Sequence, residues 1–342
     1  MSIRACPAIL LSIALLAWSG GAALADEASL RDQLAACGSL RDPEPRLACF
    51  DRLLVEPGAA EATAKSETSA GEQLPELSRM NLFWELDDRS HSGRGRIRPF
   101  EPLLALPLRW SSSPNERPVS PTTVAVDSVP LDSVEAFFRL SLRTKLWDNP
   151  IGDNGDVWVA YTQNAYWQAY NGSQSSPFRE TNYMPEIFSI WRVNLSLGEQ
   201  WRWRMLGLGL KHQSNGRGST LGISRSWNRL YANFGFEGPS TEVYLRPWIR
   251  VLTEDDDDNP DVEDFYGYGD LSIIHHLNQS RIELTARLNP STGKGMLRAG
   301  YHFPLVGDLH GYFEVFSGYG ESLLDYNHKQ TTISAGVSMF QF

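Results

Sequence analysis

The feature that most constrains this chain is a two-residue alternation of apolar and polar side chains, repeated from about residue 100 to the end. Successive side chains along a β-strand point to opposite faces, so each alternating segment has one apolar and one polar face. Twelve segments are read, at 102–111, 132–146, 156–169, 183–195, 201–214, 225–237, 241–252, 267–277, 280–289, 295–305, 308–318 and 331–342. They are separated by Gly, Asn, Asp, Ser and Pro, the turn formers. Strands of this length and pattern are the signature of a transmembrane β-barrel, apolar outside and polar inside. The fold class expected is therefore all-β: a twelve-stranded antiparallel transmembrane β-barrel preceded by a small helical segment.

Composition agrees with that reading. Only 42% of residues are hydrophobic, which excludes a bundle of membrane-spanning helices, yet 11% are aromatic, as the girdles of a barrel require. The net charge of −10 argues against a nucleic-acid partner, which would need a basic stripe.

The parity of individual strands supports the count. In 201–214 one row is Leu206, Leu208, Leu210, His212 and Ser214, and the other is Met205, Gly207, Gly209 and Lys211. In 225–237 Asn228, Leu230, Ala232, Phe234 and Phe236 oppose Trp227, Arg229, Tyr231, Asn233, Gly235 and Glu237. The last strand is less regular: Ile333, Ala335, Val337 and Met339 share a row, whereas Phe340 and Phe342 fall on the other, and a bulge would reconcile them. An even strand number puts both chain ends on one side, the periplasmic one. The connections after strands 2, 4, 6, 8 and 10 are then short turns, and those at 170–182, 215–224 and 253–266 face outward. The acidic run Glu254–Asp258 in the last of these reads as a solvated loop in preference to a cation site.

Arg4, the apolar run Ala8–Trp18 and Ala23-Leu24-Ala25 form a signal peptide spanning 1–25. Residues 26–55 read as a helical hairpin segment carrying Cys37 and Cys49, either disulfide-bonded or free thiols. Residues 56–95 read as a linker and 96–342 as the barrel.

Four polar residues interrupt the lipid-facing rows. His212 and Ser214 lie on one face of a strand, and Asn228 lies on the next antiparallel strand, within reach of a cross-strand neighbour. Unpaired polar groups are costly against lipid. One reading is a Ser–His–Asn triad for acyl transfer, with His212 as base, Ser214 as nucleophile and Asn228 holding the imidazole tautomer. The other is the polar beginning of an outward loop. Between Ser214 and Asn228 the chain is rich in oxygen donors and poor in soft ones, so a hard cation such as Ca²⁺ would suit it better than zinc, but composition alone favours a plain loop over either. Gln163, beside Tyr161 on the row Val157 to Trp167, is either a contact to a partner chain or the mark of a register slip.

Around these residues the sequence resembles the outer membrane phospholipase A family. The resemblance rests on Tyr161-Thr162-Gln163 with Trp167-Gln168, SSPFRETNY at 175–183, HQSNGR at 212–217, SRSWNRLY at 224–231, DDNPD at 257–261 and SGYGESLLDYN at 317–327. It implies a phospholipase of the bacterial outer membrane, acting on phospholipids and lysophospholipids as an A1 and A2 carboxylic ester hydrolase. It implies Ca²⁺ as cofactor, a homodimer as the active state and an active site facing the cell exterior. It places the catalytic residues at His212, Ser214 and Asn228 and the oxyanion donor at the backbone of Gly216. It assigns calcium ligation to the Arg217 carbonyl, the Ser224 hydroxyl and the carbonyl of a partner's Ser175 equivalent, and the dimer contact to Gln163 with Tyr161. The loop 218–223 is about two residues longer than the family pattern and lacks an Asp. The alternative from the residues alone is a passive barrel, a porin or adhesin.

Overall fold

The computed structural model describes residues 35–340 apart from 43, 48, 50–77, 126, 219–220 and 254–256. The expected signal peptide 1–25, most of the expected linker and the terminal Phe342 lie outside the described residues. The chain divides into two units, Met1–Pro75 and Glu76–Phe342. In the first, Cys37, in a helical turn at 35–38, is disulfide-bonded to Cys49, which follows a second turn at 44–47, with Cα atoms 5.4 Å apart.

The second unit is the barrel. A two-residue strand β1 (Arg98–Pro99) is followed by β2 (Leu103–Ser111), β3 (Val134–Trp147), β4 (Asp156–Trp167), β5 (Phe178–Leu197), β6 (Trp201–Ser214) and β7 (Ser226–Glu237). Then come β8 (Thr241–Val251), β9 (Gly269–Leu277), β10 (Ser280–Asn289), β11 (Lys294–Val306), β12 (Leu309–Tyr319) and β13 (Lys329–Met339). Each strand from β2 to β13 pairs antiparallel with the next, and β13 pairs back with β2, so the sheet closes and no long edge remains. All twelve expected strands are present. The largest displacement is β5, which starts at Phe178, five residues before the segment expected from 183.

The faces follow parity. Along β6, Met205, Gly207, Gly209, Lys211 and Gln213 are buried inside, while Leu208 and Leu210 are exposed on the outer wall. The inward charge of Lys211 is buried and paired, which offsets the cost of taking it out of water: Lys211 Nζ lies 2.8 Å from Glu186 Oε1. The irregularity at the end resolves differently from a bulge in β13. That strand keeps its alternation and the register slips on β2, between Leu106 and Arg109. Phe340 is buried, its ring beside His302 and under the Arg281 guanidinium, because the row it belongs to faces the interior.

The barrel unit begins before residue 96, the boundary expected from composition. A six-residue helix α1 (Arg79–Trp84), capped by the Ser78 hydroxyl accepting from the Asn81 N–H at 3.2 Å, buries Met80 and Trp84 in the core. So short a helix has little stability alone and is held by this burial. The Trp84 indole contacts Phe100, Phe188 and Tyr244, and the Met80 N–H donates to Glu237 at 3.2 Å. Glu237, Phe188 and Tyr244 are inward residues near the short-turn end, so α1 stops that mouth.

The two ends differ. One carries the connections 148–155, 198–200, 238–240, 278–279 and 307–308. The other carries 112–133, 168–177, 215–225, 252–268, 290–293 and 320–328. Beneath the long loops lies a buried ion network. Arg179 donates to Glu135 at 3.1 Å and to Asp325 at 2.8 Å, while Arg109 pairs with both Glu135 and Glu321. The Tyr166 ring sits near both guanidinium groups, at 5.1 and 5.0 Å.

Candidate active site

Register determines which polar residues meet on the outer wall. β6 and β7 pair so that His212 faces Asn228 and Ser214 faces Ser226. His212 Nδ1 and Asn228 Oδ1 are 2.8 Å apart, and Asn228 Nδ2 donates to the Leu252 carbonyl at 3.3 Å. Because the amide oxygen can only accept, the proton in the first bond belongs to His212 Nδ1. The other ring nitrogen, Nε2, is then the basic one. Ser214 lies two residues along the same strand, on the same half-buried outer row as His212.

The strand ends in a turn built by a residue that motif reading passed over. Asn215 is buried and acts as a clasp between the two sides of the loop. Its Nδ2 donates to the Ile223 carbonyl at 2.7 Å, and its Oδ1 accepts from the N–H groups of Arg217 at 3.3 Å and Arg225 at 3.1 Å. The signal in the sequence was the pair Asn215-Gly216, since Asn side chains bond the backbone two residues on. Gly216 has φ +63°, and a Cβ there would lie 2.8 Å from the Tyr183 ring, so glycine is required on both counts.

Two other connections brace this loop. Arg225 Nη1 donates to the Thr123 hydroxyl at 2.7 Å and to the Ser224 carbonyl at 2.6 Å. Burial lowers the Arg225 pKa, but from so high a starting point that the group stays charged. Asn259 accepts from the Ser226 N–H at 3.0 Å, and Asp257, from the expected acidic run, pairs with Arg250 at 2.6 Å. Residues 254–256 of that run lie outside the described residues.

The expected calcium donors lie around the same turn. Arg217 is exposed, and its guanidinium is drawn to the carbonyls of Phe178 at 3.0 Å and Arg179 at 3.2 Å. Ser224 is half-buried, with its carbonyl taken by Arg225 and its hydroxyl distinct from that bond. Ser175 belongs to a different connection, 168–177, where it is exposed with φ +61° and its N–H closes onto Gly172 at 3.2 Å. Within one chain the geometry thus brings His212, Ser214, Asn228, Gly216, Arg217 and Ser224 to one turn and its flanking strands, and leaves Ser175 on the neighbouring loop. All three expected donors are neutral oxygens, a set that fits a hard cation whose remaining positions are filled by water.

Gln163 lies on the outer face in unbroken register, opposite Leu140 on β3 and Tyr183 on β5, which removes the register-slip reading. The Tyr161 hydroxyl donates to Gln163 Oε1 at 2.9 Å. That bond leaves the amide's two N–H donors directed elsewhere.

Twelve antiparallel strands that close with their apolar rows outward define a transmembrane β-barrel of the outer-membrane type, and comparison with known proteins agrees. The sequence model of the family described as Phospholipase A1 matches residues 80–339. The putative phospholipase A1 of Neisseria meningitidis serogroup B is 35% identical over an alignment covering 88% of this chain and 89% of that one. Outer membrane phospholipase A from Escherichia coli superposes with a TM-score of 0.65 at 34% identity, covering 73% of this chain and 93% of that one. The same protein has been solved as an active-site Asn-to-Ala mutant. The Salmonella typhi outer membrane phospholipase, a dimer with bound calcium, gives a TM-score of 0.65 at 32% identity, covering 76% and 95% of the two chains. This chain belongs to the phospholipase A1 family. It is a phospholipase of the outer membrane, and the passive-barrel alternative finds no support.

Proposed function

We propose that the chain is a calcium-dependent phospholipase that hydrolyses acyl esters of phospholipids and lysophospholipids, at both acyl positions, with Ser214, His212 and Asn228 as its triad. The observation that carries this is the 2.8 Å His212–Asn228 bond on a lipid-facing wall, with a serine two residues further along the same row. His212 Nε2 takes the proton of the Ser214 hydroxyl as Oγ attacks the ester carbonyl. The oxyanion of the tetrahedral intermediate is met by the N–H of Gly216. His212 then gives its proton to the leaving alcohol, and water, deprotonated by the same nitrogen, releases the acyl group. A neutral amide orients the imidazole without adding a buried charge to a wall that faces hydrocarbon.

Ca²⁺ would be held by the Arg217 carbonyl and Ser224 hydroxyl of one chain and by the Ser175 carbonyl of the other, its bound charge favouring the oxyanion. The Salmonella relative, a dimer with bound calcium, supports this reading. Gln163, steered by Tyr161, would make the polar contact of the homodimer. The long-loop end, and with it the site, would face the cell exterior after export by a cleaved signal peptide at 1–25. Replacing Ser214 with Ala is expected to lower fatty acid release from phospholipid in detergent with Ca²⁺ at least about a thousandfold. Unchanged hydrolysis would reject the nucleophile. Chelation is expected to abolish the same activity, and full activity in excess chelator would reject the calcium requirement.

A further inference from the structure

We infer that the Leu252 carbonyl, presented by a left-handed backbone, is a positioning group for the catalytic relay because it fixes which end of the Asn228 amide faces His212. The inference rests on the triad reading above.

An amide has two unlike ends. Asn228 Oδ1 accepts from His212 Nδ1 at 2.8 Å, and its Nδ2 donates to the Leu252 carbonyl at 3.3 Å. Turning the amide over would set an N–H₂ against the Nδ1 proton and an oxygen against a carbonyl oxygen, two repulsions in place of two bonds. The Leu252 carbonyl therefore locks the amide, the amide locks the imidazole tautomer, and Nε2 is kept as the base toward Ser214. An aspartate at 228 would set a carboxylate oxygen against the same carbonyl. A carbonyl acceptor here thus also accounts for an amide, not an acid, as the third member.

The backbone carries this arrangement. Asn228 pairs with Val251, the last residue of β8, and Leu252 follows with φ +51°. Leucine seldom adopts that conformation. Its side chain is 69% exposed, so packing of the side chain does not explain the turn. The contribution of Leu252 is the direction of its peptide plane.

The test compares substitutions that differ in backbone preference. Glycine and asparagine tolerate φ > 0, whereas β-branched valine does not. Leu252→Val, Leu252→Gly and Leu252→Asn would be assayed as full-length protein on phospholipid in detergent with Ca²⁺, beside Ser214→Ala. Labelling of Ser214 by a sulfonyl fluoride, cross-linked dimer yield and melting would be measured in parallel. The expected result is that Leu252→Val loses about tenfold in kcat and in labelling rate with KM, dimer yield and melting unchanged, while Leu252→Gly and Leu252→Asn stay near the parent. Two results would overturn the inference: Leu252→Val with parental kcat, or Leu252→Gly impaired as much as Leu252→Val. An apolar lipid anchor would give the reverse order, with Gly the poorer. Should Ser214→Ala stay active, the triad itself fails, and that outcome is read separately from the order of the Leu252 variants.

Discussion

Asn228 holds the imidazole through one neutral hydrogen bond, and that sets the scale of what its loss does. Removing the side chain leaves the His212 Nδ1 proton without its acceptor on a half-buried wall. An unpaired polar group of this kind costs about 1–3 kcal/mol. If the cost falls on the reacting state, Asn228→Ala lowers kcat roughly 10- to 100-fold, with KM little changed. Steady-state hydrolysis with Ca²⁺ measures both, and a change confined to KM would contradict the orienting role. His212, Ser214 and Asn228 were legible in the sequence because two-residue periodicity tells which side chains share a face, and polar residues on an apolar row stand out. Asn215 and Leu252 were not. One acts through backbone groups on both sides of a turn, and the other through a carbonyl that any residue carries, so neither has a side-chain pattern to read.

At the scale of elements, the site loop is held by its neighbours as much as by its own sequence. The connection 112–133 crosses to it, with Thr123 on Arg225 and Val124 packed over Gly222. Gly222 has φ +66°, and a Cβ there would collide with the Val124 carbonyl. Gly222→Ala therefore carries a left-handed backbone penalty of roughly 1–2 kcal/mol before the collision is counted. The expected outcome is a need for about tenfold more Ca²⁺ at half-maximal activity, with the barrel still folded. Calcium titration checks the first and heat-dependent gel mobility the second, and a parental titration curve would show the brace to be dispensable.

The ion network beneath these loops makes a prediction in pH. Burial alone would raise the Asp325 carboxyl, but the Arg179 guanidinium together with hydrogen bonds from Ser322 and Asn115 holds the group below the usual carboxylate range. A depressed carboxylate stabilises the fold fully above its unfolded pKa of about 3.9, and that part is lost as pH falls through the lower folded value. Asp325→Asn should destabilise the folded barrel by about 3 kcal/mol near neutrality, because it breaks a buried pair. The difference from the parent should shrink as pH drops below about 4. Folded fraction against urea at several pH values measures it, and a gap independent of pH would remove Asp325 from the network's acid response.

For the whole molecule, the apolar–polar alternation explains the fold and why the proposed site lies on the outer wall. Twelve amphipathic strands close only with their polar rows inward, so a polar residue left outside must find a partner on the outer wall. His212 and Asn228 find each other. Strand count and faces were thus readable from period alone, whereas the helix that stops the mouth was not, because Met80 and Trp84 lie in a mostly apolar stretch of only six residues, too short to show a period, and their burial depends on a mouth formed by distant strands. Gln163 is the outward residue with its bond to Tyr161 used on one side only. In a two-fold dimer the same patch meets its own copy, so the N–H donors of one Gln163 have the other's surface to bond. A side-chain hydrogen bond in a membrane is worth on the order of 1 kcal/mol. Gln163→Leu should then weaken dimerisation about fivefold while leaving the monomer folded, since leucine suits a lipid-facing wall. Cross-linking across a range of detergent-to-protein ratios reads the dimer, and hydrolysis at the same ratios should fall in step with it. Activity that fell while the dimer yield held would place Gln163 in substrate contact, and a dimer yield equal to the parent's with activity intact would leave the interface to other residues of the wall.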